Sequence, residues 1–246
     1  MRKASMRARV KSFFDVNKFR CLNCNVIELN DINELKKVFG WTADAVFIDD
    51  PTYLQFRFTE DVNNRRLRDA ESLGTVVRNA KPKVCLEIGT GRGLSSALIA
   101  VNAPGSVVHT INILPEEFNE GGTLTSMALS KGEIGSYYRG RDFQNIRQIY
   151  ANTASWTPDI GMIDVAFIDG CHDADFVVND TLKVLDCVQT GAFLVWHDFN
   201  PKLAMKYSWI YSVCEGLEEL YRKGKLKGRM FHLRDSWTGI YCVGDS

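Results

Sequence analysis

Along the 246-residue chain, short apolar runs alternate with longer stretches in which apolar residues recur every three or four positions. Leu67, Ala70, Leu73 and Val77 keep helical spacing, and Lys81-Pro82 ends that helix. Val84–Ile88 follows as a strand, Gly89–Gly93 as a glycine turn, and Leu94–Val101 as a helix stopped by Asn102-Ala103-Pro104-Gly105. Further strands are expected at Val107–Ile113, Ile146–Tyr150, Val165–Ile168 and Ala192–Trp196. Between the last two, the rows Val178, Leu182, Leu185 and Val177, Val184, Val188 predict a helix from Asp173 to Val188, with Gly191 as its stop. A helix around Ile210, Val213, Leu217 and Leu220 precedes two final strands, Met230–Leu233 and Gly239–Val243. The link Asp235–Thr238 is short enough for a hairpin.

Strands alternating with helices predict an α/β fold: a mostly parallel sheet with helices on both faces and a C-terminal antiparallel hairpin. The pattern is clear over residues 61–246. Residues 1–60 stand apart as an extension of unclear role, with a helix at Asn30–Phe39 and a short apolar run, Ala45–Ile48, closed by Asp49-Asp50-Pro51. The long connection Leu114–Asp142, rich in glycine, is expected to carry another helix.

Charge changes this picture little. Thirty basic residues balance thirty acidic ones, so no large field draws the chain to nucleic acid or an anionic membrane. No apolar run has the length of a membrane span, and the basic N-terminus lacks the apolar segment of a secretory signal, so a cytoplasmic protein is expected. Seven cysteines at irregular spacing do not describe a disulfide framework. Cys21 and Cys24 form a lone CxxC, short of the four ligands a closed zinc site needs.

In a parallel sheet of this kind, ligands bind beyond the carboxyl ends of the strands. Two stretches place chemistry there. The first is Glu87-Ile88-Gly89-Thr90-Gly91-Arg92-Gly93. Glycines let the backbone turn tightly and approach a ligand, and the helix N-terminus beyond them offers N–H groups to an anion. A dinucleotide fingerprint would need a third glycine where Leu94 stands, and a Walker loop would need Gly-Lys-Ser/Thr. The alternative is a tight structural turn.

The second stretch is the pair Phe167-Ile168-Asp169-Gly170-Cys171-His172-Asp173 and Val195-Trp196-His197-Asp198-Phe199. Carboxylates and imidazoles converging after neighbouring strands suit a divalent cation. The alternatives are that Asp169 caps the next helix and that His197 and Asp198 satisfy each other.

The Glu-x-Gly-x-Gly-x-Gly turn resembles motif I of class I S-adenosylmethionine (SAM) methyltransferases, which carry a Rossmann-like sheet. The Ile-Asp-Gly-x-His and His-Asp motifs resemble those of the catechol- and macrocin-type O-methyltransferases, over roughly residues 65–200. The resemblance implies methyl transfer from SAM to a hydroxyl of a small-molecule acceptor. It places the cofactor against Glu87, Gly89, Thr90, Gly91, Gly93, Ser95, Asn112, Asn152 and Asp169. A divalent cation, Mg²⁺ or another, would be held by Asp169, His197 and Asp198. His172, assisted by Asp169, would act as base, its unperturbed pKa of ~6.5 suiting that role.

The chain departs from the family in two places: Asn112 stands where an acidic residue usually binds the ribose, and His197 stands where the catechol type has an acid. Asp50-Pro51-Thr52-Tyr53 is only a partial match to the tetrad of amino methyltransferases. Gly135–Arg141, with Tyr137, Tyr138, Arg139 and Arg141, stands either as a substrate wall or as surface packing. The rival functions are a SAM-binding module without catalysis and another small-molecule-modifying enzyme on the same sheet. No nucleic-acid or membrane partner is expected, and a homodimer is compatible with the chain.

Overall fold

The computed structural model describes residues 18–48, 65–118 and 129–244. The basic stretch before Lys18, the Asp50–Tyr53 match and part of the Leu114–Asp142 connection lie outside the described residues. Eight strands form one sheet: β1 (Val26–Leu29), β2 (Val84–Ile88), β3 (Val107–Asn112), β4 (Ile146–Tyr150), β5 (Ile163–Ile168), β6 (Val188–Trp196), β7 (Met230–Leu233) and β8 (Gly239–Cys242). Their order is β1-β7-β8-β6-β5-β2-β3-β4. All pairings are parallel except those of β8 with β6 and β7, as the expected hairpin requires. Among the described residues, no helix is long and apolar enough to cross a membrane.

Alternation along the central strands builds two cores. Leu86, Ile88, Ala166, Ile168, Leu194 and Trp196 face one side, where they meet helices α1 (Arg20–Asn25), α6 (Ala174–Leu185) and α7 (Ser208–Arg222). Cys85, Val165, Phe167, Phe193 and Val195 face the other side, under α2 (Ile32–Phe39), α3 (Arg65–Ala80) and α4 (Leu94–Asn102). Burial on both faces explains why these strands appear as continuous apolar runs. The chain leaves β2 for β3 on one flank and returns to β5 on the other, so the carboxyl ends of β2 and β5 are the switch point beside which sheets of this kind bind ligands.

Two elements differ from the sequence expectation. β1 was not foreseen; it pairs in parallel with β7, Val26 opposite Met230 through Leu29 opposite Leu233. The helix expected to reach Val188 ends at Leu185, and Val188 opens β6 instead. Gly191 is accordingly no helix stop: it lies inside β6 with φ 92, where the register between β5 and β6 shifts. The apolar run Ala45–Ile48 is irregular. Its backbone is held by side-chain amides: Val46 N–H donates to Asn102 Oδ1 at 2.8 Å, and Asn102 Nδ2 returns a bond to Val46 O at 2.9 Å.

Candidate active site

The glycine turn begins where Ile88 leaves β2. Gly89, Gly91 and Gly93 all have positive φ, of 100, 52 and 88. A Cβ on Gly89 would overlap the Asp169 carbonyl oxygen, and one on Gly93 would overlap the Tyr138 ring. Gly91, by contrast, faces open space. Most of the turn's amides close the turn itself rather than pointing vacantly outward. Gly89 and Thr90 donate to Ile111 O at 2.9 and 3.0 Å, and Gly93 donates to Thr90 O at 2.8 Å. Gly91 N–H donates to Asn112 Oδ1 at 3.1 Å. What the turn offers a ligand is therefore close approach of backbone, more than a row of free donors.

Beneath the turn, Glu87 is fully buried. Its Oε2 accepts bonds from the Ser96 and Thr110 hydroxyls, while Oε1 has no hydrogen-bond partner. Burial pushes its pKa up to about 7, which the hydroxyls only partly offset. Thr90 turns inward; its hydroxyl bonds Thr110 Oγ1 at 2.7 Å and accepts from Gln148 Nε2 at 3.0 Å. Ser95 is half-buried in the first turn of α4. Asn112 also donates from Nδ2 to Ile113 O at 2.8 Å, and Asn152 forms a turn after β4 by accepting from Ala154 N–H at 2.9 Å.

The stretch Gly135–Arg141 packs onto this turn. Helix α5 (Ser136–Arg139) is anchored by Gly135 N–H to Gly91 O at 3.0 Å and Tyr137 N–H to Arg92 O at 2.9 Å. Tyr138 is buried and donates from its hydroxyl to Gln148 Oε1 at 2.6 Å, and Arg141 covers the Tyr137 ring at 3.7 Å. Arg139 donates to the carbonyls of Lys131 and Gly132.

Beside the turn stands an acid–histidine cluster. Asp169 follows β5 directly, its N–H bonded to Ile88 O at 2.8 Å, which ties it to the glycine turn. His172 Nε2 lies 3.0 Å from Asp198 Oδ2 and 3.8 Å from Asp169 Oδ1. His197 Nδ1 lies 3.2 Å from Asp169 Oδ1 and 3.3 Å from Asp198 Oδ2. Its Nε2 faces Asp69 Oδ2, on α3, at 3.2 Å. Asp198 has φ 51, a left-handed conformation that aspartate tolerates better than most residues. Trp209 Nε1 donates to its Oδ1 at 3.2 Å.

Burial alone would push the imidazoles down and the carboxyls up, but here the opposite charges outweigh it. Asp169 and Asp198 hold His172 at about 10 and raise His197 well above its usual range. The imidazoles in turn hold Asp169 and Asp198 below the usual carboxylate range. An imidazole so placed is a cation at neutral pH. The base role expected of His172 therefore requires the charge of its two carboxylates to be neutralised first.

Among the described residues, one group has ligand atoms close enough to share a cation: Asp169, His172 and Asp198, all within 4.8 Å of one another. His197, the ligand expected from the sequence, stands against the same two carboxylates, its Nδ1 3.2 Å from Asp169 Oδ1 and 3.3 Å from Asp198 Oδ2, with Nε2 toward Asp69. Asp169 caps no helix; Asp173 occupies the N-cap of α6. Cys21 and Cys24 belong to no such group, and His232 is structural, its Nδ1 2.9 Å from Thr238 O.

Sequence reasoning missed Asp69 and Trp209. Asp69 carried a usable signal: with Leu73 and Val76 it falls on the buried row of α3, an acid in an apolar stripe.

The doubly covered sheet, the glycine turn after β2 and the polar cluster after β5 and β6 define a class I methyltransferase architecture. Residues 86–199 match the family model described as a methyltransferase domain. No curated protein sequence matches the chain. The fold is shared with the O-methyltransferase TomG from Streptomyces achromogenes, solved with SAM: TM-score 0.53, 14% identity, 93% of this chain and 99% of that one. An O-methyltransferase from Bacillus cereus in complex with SAH gives TM-score 0.53 at 13% identity, over 85% of this chain and 93% of that one. The O-methyltransferase NovP gives 0.54 at 15% identity, over 72% and 78%. The likeness is thus to a methyltransferase domain over residues 86–199 and, for the solved structures, one of fold.

Proposed function

We propose that the chain transfers a methyl group from SAM to a hydroxyl of a small-molecule acceptor, with a divalent cation at the acid–histidine cluster. One observation carries this reading: the glycine turn and the cluster are in direct backbone contact, through Gly89 against the Asp169 carbonyl and Asp169 N–H on Ile88 O. A donor seated on the turn thereby lies beside the groups that would hold the acceptor oxygen.

The residues suit both ligands. For the cofactor, Gly91 borders open space and Glu87 keeps a buried oxygen without a partner. Glu87, the turn 89–93, Ser95, Asn112, Asn152 and Asp169 would hold it. SAM, when bound, supplies a methyl group on a positively charged sulfur. For the cation, two carboxylates and an imidazole form the donor set at Asp169, His172 and Asp198, a mixture common to Mg²⁺ and transition-metal sites. A cation there would favour the deprotonated form of an acceptor hydroxyl, whose pKa is ~10 for a phenol.

The chain's own part is positioning and proton transfer. Asp198 holds His172 in place at 3.0 Å; where Asp169 and Asp198 hold the cation between them, its charge offsets theirs and leaves His172 to receive the acceptor proton in place of serving as a ligand. Tyr207, Trp209 and Trp237 pack together with centroids 4.9 to 6.3 Å apart, Trp209 touching Asp198, which suits an acceptor with a flat apolar body. Holding acceptor oxygen and methyl in line supplies much of the remaining acceleration.

Calorimetric titration with SAM, repeated with Mg²⁺ and with a chelator, tests the reading. Binding of SAM with an acceptor-dependent response to Mg²⁺ is expected. SAM binding indifferent to the cation would remove the metal and keep the methyltransferase, and absence of SAM binding would end the proposal.

A further inference from the structure

We propose that Asp69 is the positioning residue of the acid–histidine cluster: it orients the His197 ring against Asp169 and Asp198 and fastens the Trp237 turn beside them. The inference rests on the functional reading above and names a residue outside the matched segment 86–199.

Asp69 is buried on α3, and its two oxygens go to different partners. Oδ1 accepts from Trp237 N–H at 2.6 Å, in the link between β7 and β8. Oδ2 lies 3.2 Å from His197 Nε2. Had the acid served only to satisfy the Trp237 amide, one oxygen would suffice. The second reaches the ring whose opposite nitrogen spans Asp169 and Asp198 at 3.2 and 3.3 Å.

An imidazole turns freely about its bond to Cβ unless both edges are held. Here Asp69 holds one edge and the two carboxylates hold the other. The His197 ring in this way fixes where Asp169 and Asp198 stand relative to each other, and so the shape of the group they form with His172. The same acid links three distant parts of the chain: α3, the end of β6 and the β7–β8 link. Trp237, fixed by its backbone, presents its ring to Tyr207 at 5.6 Å and to Trp209 at 6.3 Å. Trp209 in turn bonds Asp198. Asp69 therefore reaches the cluster by two routes, through an imidazole and through an aromatic wall. Partners that orient the groups around a metal typically contribute 10–100-fold to its affinity.

Asp69→Asn separates the two bonds, because a carboxamide has one acceptor oxygen where the carboxylate has two. Retaining the Trp237 bond turns the amide nitrogen toward His197. The test uses the full chain and this variant. Mn²⁺ and SAM are titrated by calorimetry, and histidine ring ¹⁵N signals are recorded without metal.

The proposal expects Mn²⁺ affinity to fall about tenfold, the His197 and His172 signals to shift together, and SAM affinity to stay within about twofold, since the glycine turn is untouched. A purely structural acid would leave the His172 signal in place. Unmoved His172 signals with unchanged Mn²⁺ affinity overturn the proposal. An unaltered chain that binds no SAM contradicts the functional reading instead, and the ring signals of the variant still decide the role of Asp69.

Discussion

Two sets of carboxyl groups stand at the ends of neighbouring strands, and burial has opposite consequences for them. At the end of β2, Glu87 is surrounded by hydroxyls, and its pKa rises to about 7. At the ends of β5 and β6, Asp198 is also buried and Asp169 half-buried, yet both are held low by the imidazoles beside them. Desolvation is common to both sites and disfavours charge in each. What differs is whether a neighbour carries the opposite charge. The first region is thus nearly neutral, and the second a dense ionic knot.

The same chemical change, acid to amide, should therefore do opposite things in the two regions. Asp198→Asn is expected to have the largest effect: turnover falls roughly 10²–10⁴-fold, the range for a positioned acid–base group. Stability drops by about 3 kcal/mol, because imidazolium charge is left without its partner. Steady-state assays and urea denaturation measure the two losses, and an amide variant of undiminished activity would break the comparison. The wild-type contribution of Asp198 is present above the unfolded carboxyl pKa near 4 and is lost as pH falls below it.

Gly89→Ala strikes the junction between the regions. A side chain at φ 100 is strained, and its Cβ overlaps the Asp169 carbonyl, so a loss of about 3 kcal/mol or more is expected by denaturant titration.

Glu87→Gln should stabilise the protein at high pH. An acid with a raised pKa keeps its proton in the folded state between about 4.5 and 7, while the unfolded chain releases it. Wild-type stability therefore falls as pH rises through that window, by on the order of 3 kcal/mol. The glutamine variant lacks this loss, so its advantage at pH 8 should shrink toward pH 5. A constant difference across that range would show Glu87 to be ionised throughout. The smallest effect is assigned to Tyr138→Phe, which loses the bond to Gln148 and about 1 kcal/mol, read as a modest drop in melting temperature.

The legibility of these features in the sequence follows the same physics. β2, β5 and the core of β6 are buried on both faces, and their apolar runs mark them correctly. The first part of β6 escaped because Gln189, Thr190 and Gly191 are exposed and carry no apolar pattern. β1 escaped because four edge residues, three of them half-buried, give too short a signal.

The two motifs lie directly after β2, β5 and β6, as the alternation of elements implied. The pairing of Asp69 with His197 was not legible: the two lie more than a hundred residues apart in sequence, and Asp69 meets the ring nitrogen that faces away from Asp169 and Asp198. Long-range side-chain pairing of this kind leaves no periodic trace. Nor was it legible that the turn's amides would be consumed by Ile111, Thr90 and Asn112, since that depends on how β3 lies beside the turn.

A crystal structure of the chain grown with SAH tests the central claim most directly. The account predicts the amino-acid end of the ligand against residues 89–93, over Glu87, with its sulfur directed toward Asp169. Density for the ligand elsewhere, or the space at Gly91 still filled only by solvent at saturating SAH, would contradict it.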